Sequence, residues 1–100
     1  MSLAITVIGS HVELNGAVDV QTAPALQAEL VELINAAGPG TRLRLDLGDV
    51  TLLDSNGLSV LLEAHKLAAA QDVVLVLAAV PRHVERTLSI TGLDAVLHIA

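Results

Sequence analysis

The stretch "LRLDLGDVTLLDSNGLSVLLEAHKLA", residues 43–68, joins two elements of different periodicity through a short polar turn. Before the turn, Arg42 to Leu47 alternate charged residues with leucine, the pattern of a strand with one apolar and one polar face. After it, Leu58, Leu61, Leu62, His65 and Ala68 share a helical stripe, with Glu63 and Lys66 lying off it. Between them, Asp54-Ser55-Asn56-Gly57 has the composition of a helix start, where either Asp54 or Ser55 would accept from the free amides of the first turn. The same residues also put a serine hydroxyl beside a glycine, at a helix N-terminus that another protein can reach.

The flanking sequence repeats this alternation of strand and helix. "LAITVI" (3–8) and "HVELNG" (11–16) predict a hairpin of two strands around Gly9-Ser10. Gly16 then opens a turn, "GAVDVQTAP", leading to a helix with Thr22 as N-cap and Pro24 in the first turn, where proline costs no amide bond. That helix carries Leu26, Leu30, Leu33, Ile34 and Ala37 on its apolar face and ends at Gly38-Pro39-Gly40, with glycine supplying a left-handed terminus. "VVLVLAAV" (73–80) is apolar without alternation, as expected of a strand central in the sheet, covered on both faces and parallel to a neighbour. Pro81 starts a third helix with Val84, Leu88 and Thr91 at helical spacing, Gly92 closes it, and "AVLHI" (95–99) reads as the last strand. The predicted fold class is α/β, a single mixed β-sheet with packed helices in the order β-β-α-β-α-β-α-β, forming one domain over residues 1–100.

Composition narrows the function. With 53% hydrophobic residues, the chain has ample material for a core of Leu, Val, Ile and Ala, since Phe, Tyr and Trp are all absent. Five basic against eleven acidic residues give a net charge of −6, which repels a phosphate backbone and an anionic bilayer, so neither nucleic acid nor direct membrane insertion is expected. No apolar run approaches the ~18–20 residues of a membrane span, and the start lacks a signal-peptide pattern, so a cytoplasmic protein is expected. Without cysteine there is no disulfide, thiol nucleophile or thiolate metal site.

The residues predict no enzyme, cofactor or metal. His11, His65, His83 and His98 fall on different elements without HxxxH or HxH spacing, and His65 reads as a hydrogen-bonded, partly buried residue of its helix. Sequence order leaves a Ser-His-Asp triad from Ser55 open, but "LLDSNGL" is not the GxSxG elbow. The glycines form neither GxGxxG nor a P-loop. Asp19, Asp49 and Asp54 each fall in a predicted loop at one rim of the sheet, and read as turn and cap residues rather than cation ligands.

Three segments resemble one family. "LDLGDVTLLDSNGLSVLL" (45–62) resembles the signature of the STAS domain of bacterial anti-sigma factor antagonists, a strand followed by D-S-[ST]-G-[LIV] and an apolar helix. "LNGAVDVQTAPALQAEL" (14–30) is similar to its earlier G-x-x-D turn and first helix, and "VPRHVERTLSITGLDAVLHI" (80–99) to its closing helix, turn and strand. The resemblance implies a binding switch. The antagonist binds an anti-sigma factor that is itself a serine kinase, is phosphorylated on the serine after the turn's aspartate, lets go, and is restored by a serine phosphatase. Ser55 stands at that position, while Asp19, Asp54, Asn56, Gly57 and Leu58 fall on the motif positions surrounding the partner contact. Asn56 replaces the usual Ser or Thr, leaving Ser55 as the only phosphorylatable residue of the turn. Many relatives carry a further helix after the last strand, whereas this sequence stops at His98-Ile99-Ala100, and an open face is expected there. The same resemblance implies an alternative, a non-enzymatic STAS subunit beside a lipid-transport ATPase, using the turn as a contact surface.

Overall fold

The computed structural model describes residues 2–100. The elements follow in the order β1 (Leu3–Ile8), β2 (His11–Val18), α1 (Ala23–Ala36), β3 (Arg42–Leu53), α2 (Ser55–Ala70), β4 (Val74–Ala78), α3 (Arg82–Thr91) and β5 (His98–Ile99), with a 3-10 turn over Leu93–Ala95. This is the predicted order. The sheet runs β1-β2-β3-β4-β5, with β1 antiparallel to β2 and every later pair parallel. Since each helix links a strand to its next neighbour in one direction, right-handed crossovers place all three on one face of the sheet.

The core lies between that face and the helices. Val12 and Leu14 from β2, Leu43, Leu45 and Leu47 from β3, and Leu75 and Leu77 from β4 meet Leu26, Leu30 and Ile34 of α1, Leu61, Ala64 and Ala68 of α2, and Val84 and Leu88 of α3. The alternation at Arg42–Leu47 therefore divides the sheet as expected, with the leucines inward and Arg42 and Arg44 exposed. Val76 and Ala78, although buried, stand level with Arg44 and Asp46 and outside the core cluster. The apolar run of β4 is thus buried on both sides while helices cover only one, and the strand lies beside the centre of the sheet, which β3 occupies.

Several boundaries differ from the sequence pattern for identifiable reasons. β2 continues through Gly16 to Val18, because Gly16, Ala17 and Val18 pair with Val50, Leu52 and Leu53 of β3; Gly16 itself adopts φ +124°, with the Ser2 carbonyl too close to leave room for a Cβ. β3 extends beyond Leu47 to Leu53, and register shifts against β2 between Glu13 and Asn15 and between Gly16 and Ala17 absorb the extra residues. Helix α1 ends on an extended Ala37 (φ −74°, ψ 138°), and the left-handed residue is Gly40, whose amide donates to the Asp72 carbonyl at 2.7 Å. The inward stripe of α2 is centred on Gly57, Val60, Leu61, Ala64 and Ala68, so Leu62 and His65 sit at its margin, partly exposed. At the end of the chain the 3-10 turn takes up Ala95, and β5 is only His98–Ile99. Thr91 of α3 is exposed, its hydroxyl turned back onto the Thr87 carbonyl at 2.9 Å.

Candidate functional site

Two strand ends build the site. Val18 and Leu53 are register partners at the C-terminal ends of the adjacent parallel strands β2 and β3, so the residues that follow, Asp19 and Asp54, emerge side by side. The Asp54 amide donates to the Val18 carbonyl at 3.2 Å and ties the two exits together. In parallel α/β sheets this carboxyl edge is where loops gather functional groups.

Each aspartate organises its own turn. Asp19 Oδ1 accepts from the amides of Gln21 at 2.9 Å and Thr22 at 3.1 Å, while the Asp19 amide donates to Thr22 Oγ1 at 3.0 Å. Thr22 Oγ1 in turn donates to the Ala17 carbonyl at 2.7 Å. Thr22 occupies the cap position of α1, as its place before the helix predicts, but its side chain makes no capping bond into the helix. Although partial desolvation pulls the other way, the bonds from Thr22 and Gln21 hold the Asp19 carboxyl below the usual carboxylate range.

The second turn resolves the choice of cap. Asp54 Oδ1 accepts from the Asn56 amide at 2.9 Å and the Gly57 amide at 3.2 Å, and Asn56 Nδ2 reaches Asp54 Oδ2 at 3.4 Å. Ser55 is therefore the first residue of α2 and is not its cap. Its side chain is exposed and makes no hydrogen bond among the described residues. The N-terminal end of the helix macrodipole lies beneath it.

Gly57 and Leu58 lie on the inner side of the turn. A Cβ on Gly57 would stand 2.5 Å from Leu53 Cδ1 and 2.8 Å from Val18 Cγ1, so only glycine lets α2 start this close to the two strand ends. Leu58 is buried at 9% exposure. Both residues thus set the turn from below, and the accessible surface is made by Ser55, Asn56 and the edges of Asp19 and Asp54. Asp49, expected on the same rim, is instead inside β3 opposite Asn15.

The apolar surroundings of this rim are not evident from the sequence pattern. A groove of about 310 Å³ between the starts of α1 and α2 is lined by Val20, Pro24, Asn56, Ser59, Val60 and Glu63, among others. Val20, following Asp19, is 66% exposed, and Leu52, two residues before Asp54, is 39% exposed. The signal was present as two large apolar residues flanking polar turns, but a helix or strand pattern would bury them equally well.

Of the four histidines, His65 and His98 come together, with ring centroids 5.2 Å apart, and the His65 ring has no hydrogen bond among the described residues. Burial first, and the charge of His98 second, hold His65 below the usual imidazole range. His11 lies on the sheet, its Nε2 3.6 Å from Glu13 Oε1 and 3.8 Å from Asp46 Oδ2. Among the described residues, no three His, Cys, Asp or Glu side chains converge in a metal-binding cluster, and no helix is long and apolar enough to cross a membrane.

Comparison with known proteins points to the same turn-bearing fold. A family model described as "Mlab, STAS domain" matches residues 1–98. The anti-sigma-B factor antagonist of Bacillus subtilis is 36% identical over 90 residues, covering 90% of this chain and 80% of that protein. The protein of the same name from Listeria monocytogenes is 34% identical over 84 residues, covering 84% and 72%. An anti-sigma factor antagonist from Mycobacterium paratuberculosis superposes with a TM-score of 0.80 at 24% identity, over 98% of this chain and 83% of that one. SpoIIAA matches in its unphosphorylated form (TM-score 0.76, 16% identity, 99% and 88% covered) and in its phosphorylated form (0.72, 15%, 99% and 91%). The chain belongs to the STAS domain family, and its curated relatives are anti-sigma factor antagonists.

Proposed function

We propose that this protein is an anti-sigma factor antagonist that binds an anti-sigma serine kinase and is released when Ser55 is phosphorylated. The observation that carries the reading is the free Ser55 hydroxyl at the first position of α2, where Asp54 has already taken the capping role. In the transfer, Ser55 Oγ forms a bond to the γ-phosphorus of ATP, ADP leaves, and the hydroxyl proton passes to a base of the kinase. Hydrolysis by a serine phosphatase restores the hydroxyl.

The local bonding says what the phosphate would do. The amides of Asn56 and Gly57, which would otherwise draw an anion into the helix end, are occupied by Asp54. A phosphate on Ser55 therefore adds about −1.5 to −2 charges at the surface, beside two carboxylates, instead of settling into the helix terminus. The change falls on the contact surface and leaves the fold in place, in keeping with a fold shared by SpoIIAA in both phosphorylation states. Val20 and Leu52, which flank the two turns in sequence, and the groove by Asn56 supply exposed apolar area near this rim.

The test is release. Ser55→Ala should bind the cognate kinase and stay bound on addition of ATP, whereas wild type dissociates; ATP-dependent release of the variant at the wild-type rate overturns the reading. The matched "Mlab, STAS domain" model supports a second reading, a non-enzymatic subunit of a lipid-transport ATPase that uses the same rim without phosphorylation. Co-purification with a transporter ATPase, undisturbed by Ser55→Ala, would favour it.

A further inference from the structure

We propose that His65 of α2 and His98 of β5 form a binding site for a borderline divalent cation of the Zn²⁺ and Ni²⁺ type. The site lies apart from the Ser55 turn and does not depend on the function proposed for it.

The geometry matches two imidazoles on one ion. A zinc–nitrogen bond is about 2.0–2.1 Å and the ring centre lies roughly 1.2 Å beyond the nitrogen, so two rings at a tetrahedral ion have centroids about 5 Å apart. The rings of His65 and His98 stand at 5.2 Å, tilted by 50°. The 50° tilt departs from the parallel planes of a stacked pair.

The chemistry agrees. Metal ligation requires neutral imidazole. Imidazole pairs suit Zn²⁺, Ni²⁺ and Cu²⁺ and discriminate against Mg²⁺ and Ca²⁺, which take oxygen ligands. No third His, Cys, Asp or Glu completes a cluster among the described residues, so the remaining positions on the ion would be filled by water. His98 is exposed and His65 partly so, which gives the ion an open approach.

The ion would act as a clip. β5 is two residues long and sits at the edge of the sheet, pairing with β4 alone. A ligand shared with α2 ties this short strand to the helix layer and stabilises the folded chain, because the unfolded chain does not hold the two rings together.

The experiment is a titration of the full chain with ZnCl₂, and separately NiCl₂, by isothermal calorimetry at neutral pH, with melting temperature followed in parallel. The site predicts one saturable ion per chain, a raised melting temperature on loading, and at least about a tenfold loss of affinity in both His65→Gln and His98→Ala. His83→Ala, on α3, should bind as wild type does. Circular dichroism of the metal-free variants checks that they are folded, and His98→Ala, an exposed position, keeps the test valid if His65→Gln is not. Absence of saturable uptake by wild type, or unchanged affinity in folded His98→Ala, overturns the proposal.

Discussion

The amide of Asp54 donates to the carbonyl of Val18 at 3.2 Å, so the exit of β3 is hydrogen-bonded to the exit of β2. Through this bond the two turns form one rim. Asp19 and Asp54 each spend a carboxylate on the backbone amides of the turn that follows, and Ser55, next to Asp54, is left exposed with its hydroxyl free.

Asp54 and Ser55 should therefore separate cleanly in stability measurements. Asp54→Ala removes a cap that serves two amides and should cost about 0.5–2 kcal/mol in urea unfolding. Ser55→Ala removes an exposed hydroxyl without a partner and should stay within about 0.5 kcal/mol of wild type. A Ser55→Ala loss as large as that of Asp54→Ala would mean that the serine is the cap.

Gly57→Val tests the inner side of the turn. Its first added carbon meets Leu53 and Val18 at 2.5 and 2.8 Å, so the substitution should destabilise the protein by about 1–3 kcal/mol through overpacking. Any loss of partner binding should come with that loss of stability. Full stability in the variant would show that α2 can start elsewhere.

Asp19 sets an acid limit. Its carboxyl lies below the usual range, so the bonds it accepts contribute stability that is present above the unfolded pKa of about 3.9 and lost as pH falls through the lower folded value. Asp19→Asn should narrow the stability difference between neutral and acid conditions, measured by urea melts across that range. An unchanged pH profile would contradict the assignment.

His65 acts at milder pH. Its folded pKa is depressed, first by burial and then by His98, so folding favours the neutral ring. Metal-free protein should lose stability as pH falls below the unfolded value of about 6.5, until the folded value is passed. His65→Gln should flatten this slope in thermal melts recorded with chelator present, and an equal slope in the variant would contradict the account.

Much of this was legible in the sequence, and the exceptions have physical causes. The leucine–charge alternation at Arg42–Leu47 and the Asp-Ser-Asn-Gly junction announced a strand feeding a helix, because period and cap composition are local properties. The continuation of β2 through Gly16 was hidden, since it depends on pairing with Val50, Leu52 and Leu53 of β3, far along the chain. The roles of Gly57 and Leu58 as inward supports follow from the approach of α2 to Leu53 and Val18, a tertiary fact. The pairing of His65 with His98 likewise needs the fold, because no spacing rule links a helix residue to the last strand.

We propose Ser55 as a phosphoacceptor whose modification ends a protein contact. The most direct measurement is to incubate the protein with the ATP-binding anti-sigma kinases of its own genome and labelled ATP, then map the phosphate by mass spectrometry. Label should appear on Ser55 and be absent in Ser55→Ala, together with weaker kinase binding by Ser55→Asp. A kinase that binds the protein but leaves Ser55 unlabelled, with equal affinity for wild type and Ser55→Asp, would contradict it.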